Sequence, residues 1–351
     1  MKNYNTKNVF IVLMLIAFVA CKKKTEVTTT IPVTPGTTAP LITLPAGWSL
    51  NTTLASGFPS GIQVYAFDST FLGAKTKAFC VAYDSRNTGI EFKTVMSTAG
   101  KTPTAFATEE SATNTVFACI NGGFFGTGQS YSLVKYNNTV SAPNIKALTR
   151  VYNSSNTNYY PTRAAFGVTS TGAPSVGWIY HVGSGNDLIY SYPSASPNVL
   201  NSAPQAVPTA TFPSGGSIWN TVSAIGGSPM LIKDGTINIT DAEELIVIDN
   251  TSSRARSAIG YNANGIIVIL AVEGGNPPNN GINLANLASM MQSLSCSNAI
   301  NLDGGGSTSM VVGGTKTVRP SDGTERSVVS AVVIKKEILK KPFEKNVVFV
   351  I

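Results

Sequence analysis

The hydrophobic pattern divides the chain into three unlike stretches. Val9 to Ala20 is twelve unbroken apolar residues behind a polar start that carries Lys2 and Lys7. Twelve helical residues span about 18 Å, short of a bilayer core of about 30 Å, so residues 1–20 read as a signal peptide. In residues 21–45, the run from Thr25 to Pro40 is mostly Thr, Pro and Val. It has no period that would bury a face, which predicts an extended, solvated tether. From about Trp48 the pattern becomes short apolar runs bounded by Gly, Asn or Pro. Gln63–Phe67, Ala78–Tyr83, Val116–Ile120, Ala164–Val168, Leu245–Ile248, Gly265–Val272 and Val328–Ile334 are predicted strands. Two stretches carry helical character: Phe106–Thr113, with Ala and paired Glu, and Asn283–Leu294. The second sets Leu284, Leu287, Ala288, Met291 and Leu294 on one face behind Asn283 as N-cap. The pattern predicts one α+β domain over 46–351, with a mixed β-sheet core and few helices. Ser191–Ser217, crowded with Pro, Ser and Asn, is predicted as a long surface loop or insertion.

Charge changes the picture only once it is located. The formal net charge is +7, but Lys2, Lys7, Lys22 to Lys24 and five Lys between Lys335 and Lys345 lie at the two ends. Without these groups and the two Glu of the tail, 15 basic residues face 16 acidic ones, which argues against a nucleic-acid groove. One His, His181, excludes mechanisms that need two imidazoles; the expectation for it is a buried, satisfied side chain. Phe18-Val19-Ala20-Cys21 resembles the bacterial lipobox, with Phe where Leu is usual. The resemblance implies an exported lipoprotein, lipidated at Cys21 and touching the membrane only through that anchor. Lys22 in the next position points to the outer membrane or cell surface. The remaining cysteines, Cys80, Cys119 and Cys296, sit in or beside apolar runs and are expected as buried free thiols; a Cys80–Cys119 bridge is the alternative.

Glycines recur where apolar runs end. Val116–Ile120 leads into Asn121-Gly122-Gly123, Ile266–Val272 into Glu273-Gly274-Gly275, and Ala299-Ile300 into Asn301-Leu302-Asp303-Gly304-Gly305-Gly306. Thr221–Ile225 leads into Gly226-Gly227 without the polar group. Glycine lets the backbone approach a ligand with no Cβ in the way, and ligand sites lie beyond strand ends in open sheets. If these exits meet, they form a cleft with two carboxylates and several free amides. Gly304 to Ser309, three Gly and three hydroxyl residues, offers a backbone nest for an anion. No Lys follows in P-loop spacing. Arg163, Arg256 and Arg326 stand beside or within apolar strands, where a guanidinium suits phosphate or carboxylate.

These residues carry a resemblance. Asn301-Leu302-Asp303-Gly304-Gly305-Gly306-Ser307, preceded by Gly281-Ile282-Asn283-Leu284 and by Arg256-Ser257-Ala258-Ile259-Gly260, is similar to the signature of the phosphodiester glycosidase family. Asn121-Gly122-Gly123-Phe124-Phe125, Gly226-Gly227-Ser228-Pro229-Met230-Leu231, Asp234-Gly235 and Arg326-Ser327-Val328 fall in the same order, over roughly Gln63 to Ile334. The resemblance implies an α+β fold with a mixed sheet and hydrolysis of a sugar-1-phosphodiester. One departure stands out, because the family usually has Asp-Gly where this chain has Glu273-Gly274.

Breaking the bond from an anomeric carbon to a phosphodiester releases a phosphate monoester with a second pKa near ~6. That group leaves as an anion, so its charge must be held, while a carboxylate serves the oxocarbenium-like centre or activates water. The expectation is Asp303 as principal catalytic carboxylate and Glu273 as base or supporting carboxylate. Gly304, Gly305, Gly306, Ser307, Thr308 and Arg256, with Arg163 or Arg326, would hold phosphate. Asn121 and Asn301, beside Gly122 and Gly123, would orient the sugar. The partner is then a phosphorylated glycan or sugar-1-phosphodiester of N-acetylhexosamine type. No cofactor is required and no metal ligand is assigned, although a divalent cation could assist the phosphate. The rival readings are a surface lipoprotein that binds phosphorylated glycans without cleaving them, a metal-dependent phosphodiesterase, and a structural or adhesive protein.

Overall fold

The computed structural model describes residues 39–87 and 89–338. The signal peptide, Cys21, most of the tether and the lysine-rich tail after Ile338 lie outside these residues. The folded part reaches further back than position 46. Ile42 is buried, and the Leu41 N–H donates to Gln63 Oε1 at 2.7 Å and Tyr65 Oη at 3.0 Å.

Three sheets form the body. The largest has eight strands, and its middle runs Ala74–Asp84, Ile266–Val272, Arg256–Asn262, Cys296–Asn301, Met230–Lys233. A seven-stranded sheet is centred on Pro174–His181, Arg163–Val168 and Ser223–Gly226. In a five-stranded sheet, Asn114–Asn121 lies between Met310–Val312 and Val328–Glu337. Every strand pairing among the described residues is antiparallel, so the expected mixed sheet is corrected. Parallel neighbours need a crossover of a dozen or more residues, usually helical. The described chain has two α-helices of 9 and 10 residues, so it is mostly β, with the helices as minor elements.

The continuous apolar run Ile266–Val272 explains the layering. Ile267, Ile269 and Ala271 join the core that contains Ile120, Phe166, Ile225 and Val332 from the other two sheets. Val268, Leu270 and Val272 turn the other way, onto Leu287 and Met291 of helix α2 (Leu284–Ser293). A strand buried on both faces has no polar alternation to show. Helix α2 starts where its cap predicts, with Asn283 Oδ1 accepting from the Asn286 N–H at 2.8 Å. Helix α1 (Pro103–Ser111) starts three residues earlier than its Ala/Glu content indicates. Thr102 caps it and Pro103 occupies the first turn, where a missing N–H costs nothing.

Cys80, Cys119 and Cys296 are buried free thiols, and no Cys80–Cys119 bridge forms. Residues 193–216 connect Ile189–Tyr192 to Ser217–Ile218 without regular structure, as expected. Leu245–Ile248 is not a strand. Leu245 has φ +50 and Val247 is 86% exposed; the segment is part of a loop organised around Glu244.

Candidate active site

Antiparallel pairing brings three of the glycine-rich exits to one end of the large sheet. Arg256 pairs with Val272 and Ala258 with Asn301, so Glu273 and Asp303 both leave the sheet where the Arg256–Asn262 strand begins. The five-stranded sheet delivers Asn121 to the same place. The Asp303 N–H donates to Gly122 O at 3.1 Å, and Asn121 Nδ2 donates to Asp303 O at 2.7 Å. The fourth exit joins them, because the Ser228 N–H donates to Asn301 O at 2.9 Å and the Asn301 N–H to Pro229 O at 3.0 Å. A Cβ on Gly123 would collide with the Gly226 carbonyl and the Ser132 side chain. That close approach is why glycine stands there.

Asp303 sits at this junction, half-buried. Its Oδ1 accepts from the Gly304 N–H at 2.9 Å. Burial pushes the carboxyl up to about 6, against the opposing pull of the Ser307 hydroxyl, the Gly304 N–H and the Arg326 charge. A carboxylate poised near 6 changes charge in the range useful for catalysis. Arg326 stands at the rim, about half exposed, paired with Asp322 at 2.5 Å and with Nη1 3.5 Å from Ser307 Oγ.

Several expected roles change. Gly305–Ser307 is a 3-10 turn behind an extended Gly304, and most amides of the stretch are already bonded within the protein. The Gly304 N–H is spent on Asp303, Gly305 on Ala255 O, Ser307 on Gly304 O and Thr308 on Gly305 O. The expected anion nest is therefore mostly closed; Gly306 lies against the Arg326 and Asp322 side chains. Asn121 is fully buried and spent as well. Its Nδ2 donates to Asp303 O and Gly122 O, and its Oδ1 accepts from Ser257 Oγ and the Ser309 N–H. It ties the junction together instead of facing a sugar. Asn301 donates to Ser228 O at 2.7 Å, while its buried Oδ1 has no partner among the described residues; nor has Thr308 Oγ1.

Arg163 and Arg256 are corrected for the same reason. Arg163 donates to the carbonyls of Glu244 and Leu245, and Arg256 to those of Ile282, Asp249 and Ser252. Burial lowers both guanidinium groups to about 10, which leaves them charged at neutral pH. Together they pin the 241–254 loop at two points. Replacing Arg256 with Ala should cost roughly 1–3 kcal/mol, because a buried side chain is removed together with its three hydrogen bonds to the Asp249, Ser252 and Ile282 carbonyls. Urea denaturation measures the loss.

Glu273 is buried, with Oε2 accepting from the Arg319 N–H at 2.9 Å and Oε1 from Asn279 Nδ2 at 3.3 Å. It ties its own turn to the 319 loop, and neither partner bonds to Asp303. The second carboxylate bonded into the junction is Glu325, not singled out in the sequence. Its Oε1 accepts from Ser309 Oγ at 2.6 Å, and the Ser309 N–H reaches Asn121. Adjacency to Arg326 was the only available signal. Glu244 was missed too, inside a stretch read as leading into a strand. His181 is buried and satisfied, with Nε2 accepting from the Asn144 N–H at 3.0 Å and Nδ1 2.6 Å from Asn186 O. Among the described residues no group of three or more His, Cys, Asp or Glu could hold a metal ion.

A family model described as phosphodiester glycosidase matches residues 114–335, which contain every one of these side chains. The chain belongs to the phosphodiester glycosidase family. Among curated relatives, the Bos taurus N-acetylglucosamine-1-phosphodiester alpha-N-acetylglucosaminidase is 36% identical over 111 residues, and the Homo sapiens protein of that name is 35% identical over 111. Each alignment covers 29% of this chain and 21% of the relative, so the chain spans about a fifth of the length of those relatives. A Bacillus subtilis prophage-derived protein, YomE, is 40% identical over 79 residues, covering 22% of this chain and 12% of that protein. Two solved structures share the fold. The catalytic domain of the zebrafish N-acetylglucosamine-1-phosphodiester alpha-N-acetylglucosaminidase, auto-inhibited by its pro-peptide, has a TM-score of 0.52 at 19% identity, covering 80% of this chain and 84% of that one. A hypothetical protein from Synechocystis has a TM-score of 0.53 at 18% identity, covering 84% and 69%.

Proposed function

We propose that this member of the family hydrolyses the glycosidic bond of a sugar-1-phosphodiester of N-acetylhexosamine type, at the cell surface, releasing free sugar and a phosphate monoester. The observation that carries the reading is the Asp303 carboxyl, held near neutrality where the glycine-rich exits meet, with Arg326 beside it. Ionised Asp303 stabilises the positive charge that develops at the anomeric carbon. The departing phosphate needs little protonation; its charge is met by the half-exposed Arg326 guanidinium at the rim. The unpartnered Asn301 Oδ1 is sealed inside the junction, so Asn301 supports the site from within and does not reach a sugar hydroxyl. Glu273, occupied by Asn279 and Arg319, shapes the wall beside the site. Lipidation at Cys21 would hold the domain at the membrane.

Asp303 acts ionised in this scheme, so kcat/KM should rise with pH and level off above its pKa of about 6. A profile that falls through that range would make Asp303 an acid and reverse its role. Arg326→Ala should raise KM about tenfold or more, as expected for a lost charge-assisted contact to phosphate. Release of free sugar from a UDP-sugar or a sugar-1-phosphodiester, lost in Asp303→Asn, tests the enzyme reading against a binding lipoprotein. Ligand retention by the wild type without turnover would favour the latter.

A further inference from the structure

Glu244 is fully buried, and five donors converge on its carboxylate. Oε1 accepts from the Met230 N–H at 2.7 Å, Thr240 Oγ1 at 2.6 Å and Trp178 Nε1 at 3.1 Å. Oε2 accepts from the Ala164 N–H at 2.9 Å and from the Ser228 hydroxyl. Ala164 and Trp178 belong to the seven-stranded sheet and Met230 to the eight-stranded one, so this side chain joins the two sheets. Arg163 holds its backbone carbonyl from the other side.

The carboxylate grips the turn that cradles Asn301. Ser228 and Pro229 make three bonds to that residue: Ser228 N–H to Asn301 O, Asn301 N–H to Pro229 O, and Asn301 Nδ2 to Ser228 O. Asp303 follows two residues later. We propose that Glu244 is a positioning residue for the reaction, fixing the 226–230 turn against Asn301 and so setting where the Asp303 carboxyl stands. The inference rests on the role given to Asp303 above. It also explains why an acid occupies the position. Each carboxylate oxygen accepts from a backbone N–H, and a glutamine in either orientation would turn its NH2 toward one of them. A buried donor left facing a donor is costly.

The test uses Glu244→Gln and Ser228→Ala, with two independent readings. The first is the titration of the Asp303 side chain followed by carbon-13 NMR, assigned with Asp303→Asn; it needs no turnover. The second is steady-state kinetics on the phosphodiester that the wild type cleaves. Both variants should move the Asp303 titration away from its wild-type midpoint. Glu244→Gln should lower kcat about 10- to 100-fold with KM within about threefold, the pattern of a misplaced group. Ser228→Ala should act in the same direction more weakly, and the double variant should be no worse than Glu244→Gln, because both act through one contact. If Glu244→Gln does not fold, Ser228→Ala, which deletes one hydroxyl, decides the matter. Variants that lose thermal stability while the titration and kcat stay as in the wild type would overturn the proposal. If the wild type cleaves no phosphodiester, the proposed function fails, and the titration still decides the role of Glu244.

Discussion

Asp303→Asn should abolish turnover, by roughly 10^3-fold or more, and at pH 7.5 should leave a protein that melts a few degrees higher than the wild type. The two effects have one cause. Burial raises the Asp303 carboxyl from 3.8 to about 6, so the folded protein binds this proton more tightly than the unfolded chain does. The resulting stabilisation is complete below pH 4 and is lost as pH rises through 6. At 1.36 kcal/mol per unit, keeping the side chain ionised at pH 7.5 costs about 1–3 kcal/mol, allowing for its partial exposure. Asparagine carries no charge and avoids that cost. Calorimetry at pH 7.5 and at pH 4 checks the sign: the variant's advantage should be present at the first and absent at the second. An equal difference at both values would show that burial of the charge is not its origin.

Gly227→Ala should destabilise the fold by about 3 kcal/mol, at the upper end of what overpacking costs, and remove activity with it. A Cβ at this position would collide with the backbone carbonyl of Asn301 and crowd the Ile300 side chain at 3.0 Å. The obstacle is main chain, so it cannot rotate away, and relief requires parting the 226–230 turn from the end of the Cys296–Asn301 strand that leads to Asp303. Gly185 supplies the control, with none of the described residues within 4 Å of its Cβ position; Gly185→Ala should fall within about 0.5 kcal/mol of the wild type. Urea midpoints of the two variants measure the contrast.

The same contacts explain which parts of the site were legible in the sequence. Gly123 and Gly227 could be singled out because close backbone approach leaves no substitute for glycine, and Asp303 because a carboxylate stands directly before the triplet. The Gly265–Val272 run marked a strand, and Asn283 marked the start of a helix. What the sequence could not disclose was the partner. An arginine at a strand end looks the same whether it meets a phosphate or, as Arg163 and Arg256 do, the carbonyls of a loop. A glycine triplet is compatible with an open nest or a closed turn, and the Ala255 carbonyl on the Gly305 amide decides between them. Asn121 has the composition of a sugar ligand, but four bonds to Gly122, Ser257, Asp303 and Ser309 use it up. Glu244 stayed hidden because its five donors come from five separate positions between Ala164 and Thr240. Strand direction was likewise inferred from composition, while the shortage of crossover helices determined it.

The claim on which the account depends is that the bond broken joins the anomeric carbon to oxygen, next to Asp303. The most direct measurement is hydrolysis of a UDP-N-acetylhexosamine in oxygen-18 water, with both products analysed by mass spectrometry. The account predicts the heavy oxygen on the free sugar and unlabelled UDP. Label on the phosphate would mean attack at phosphorus and would contradict it.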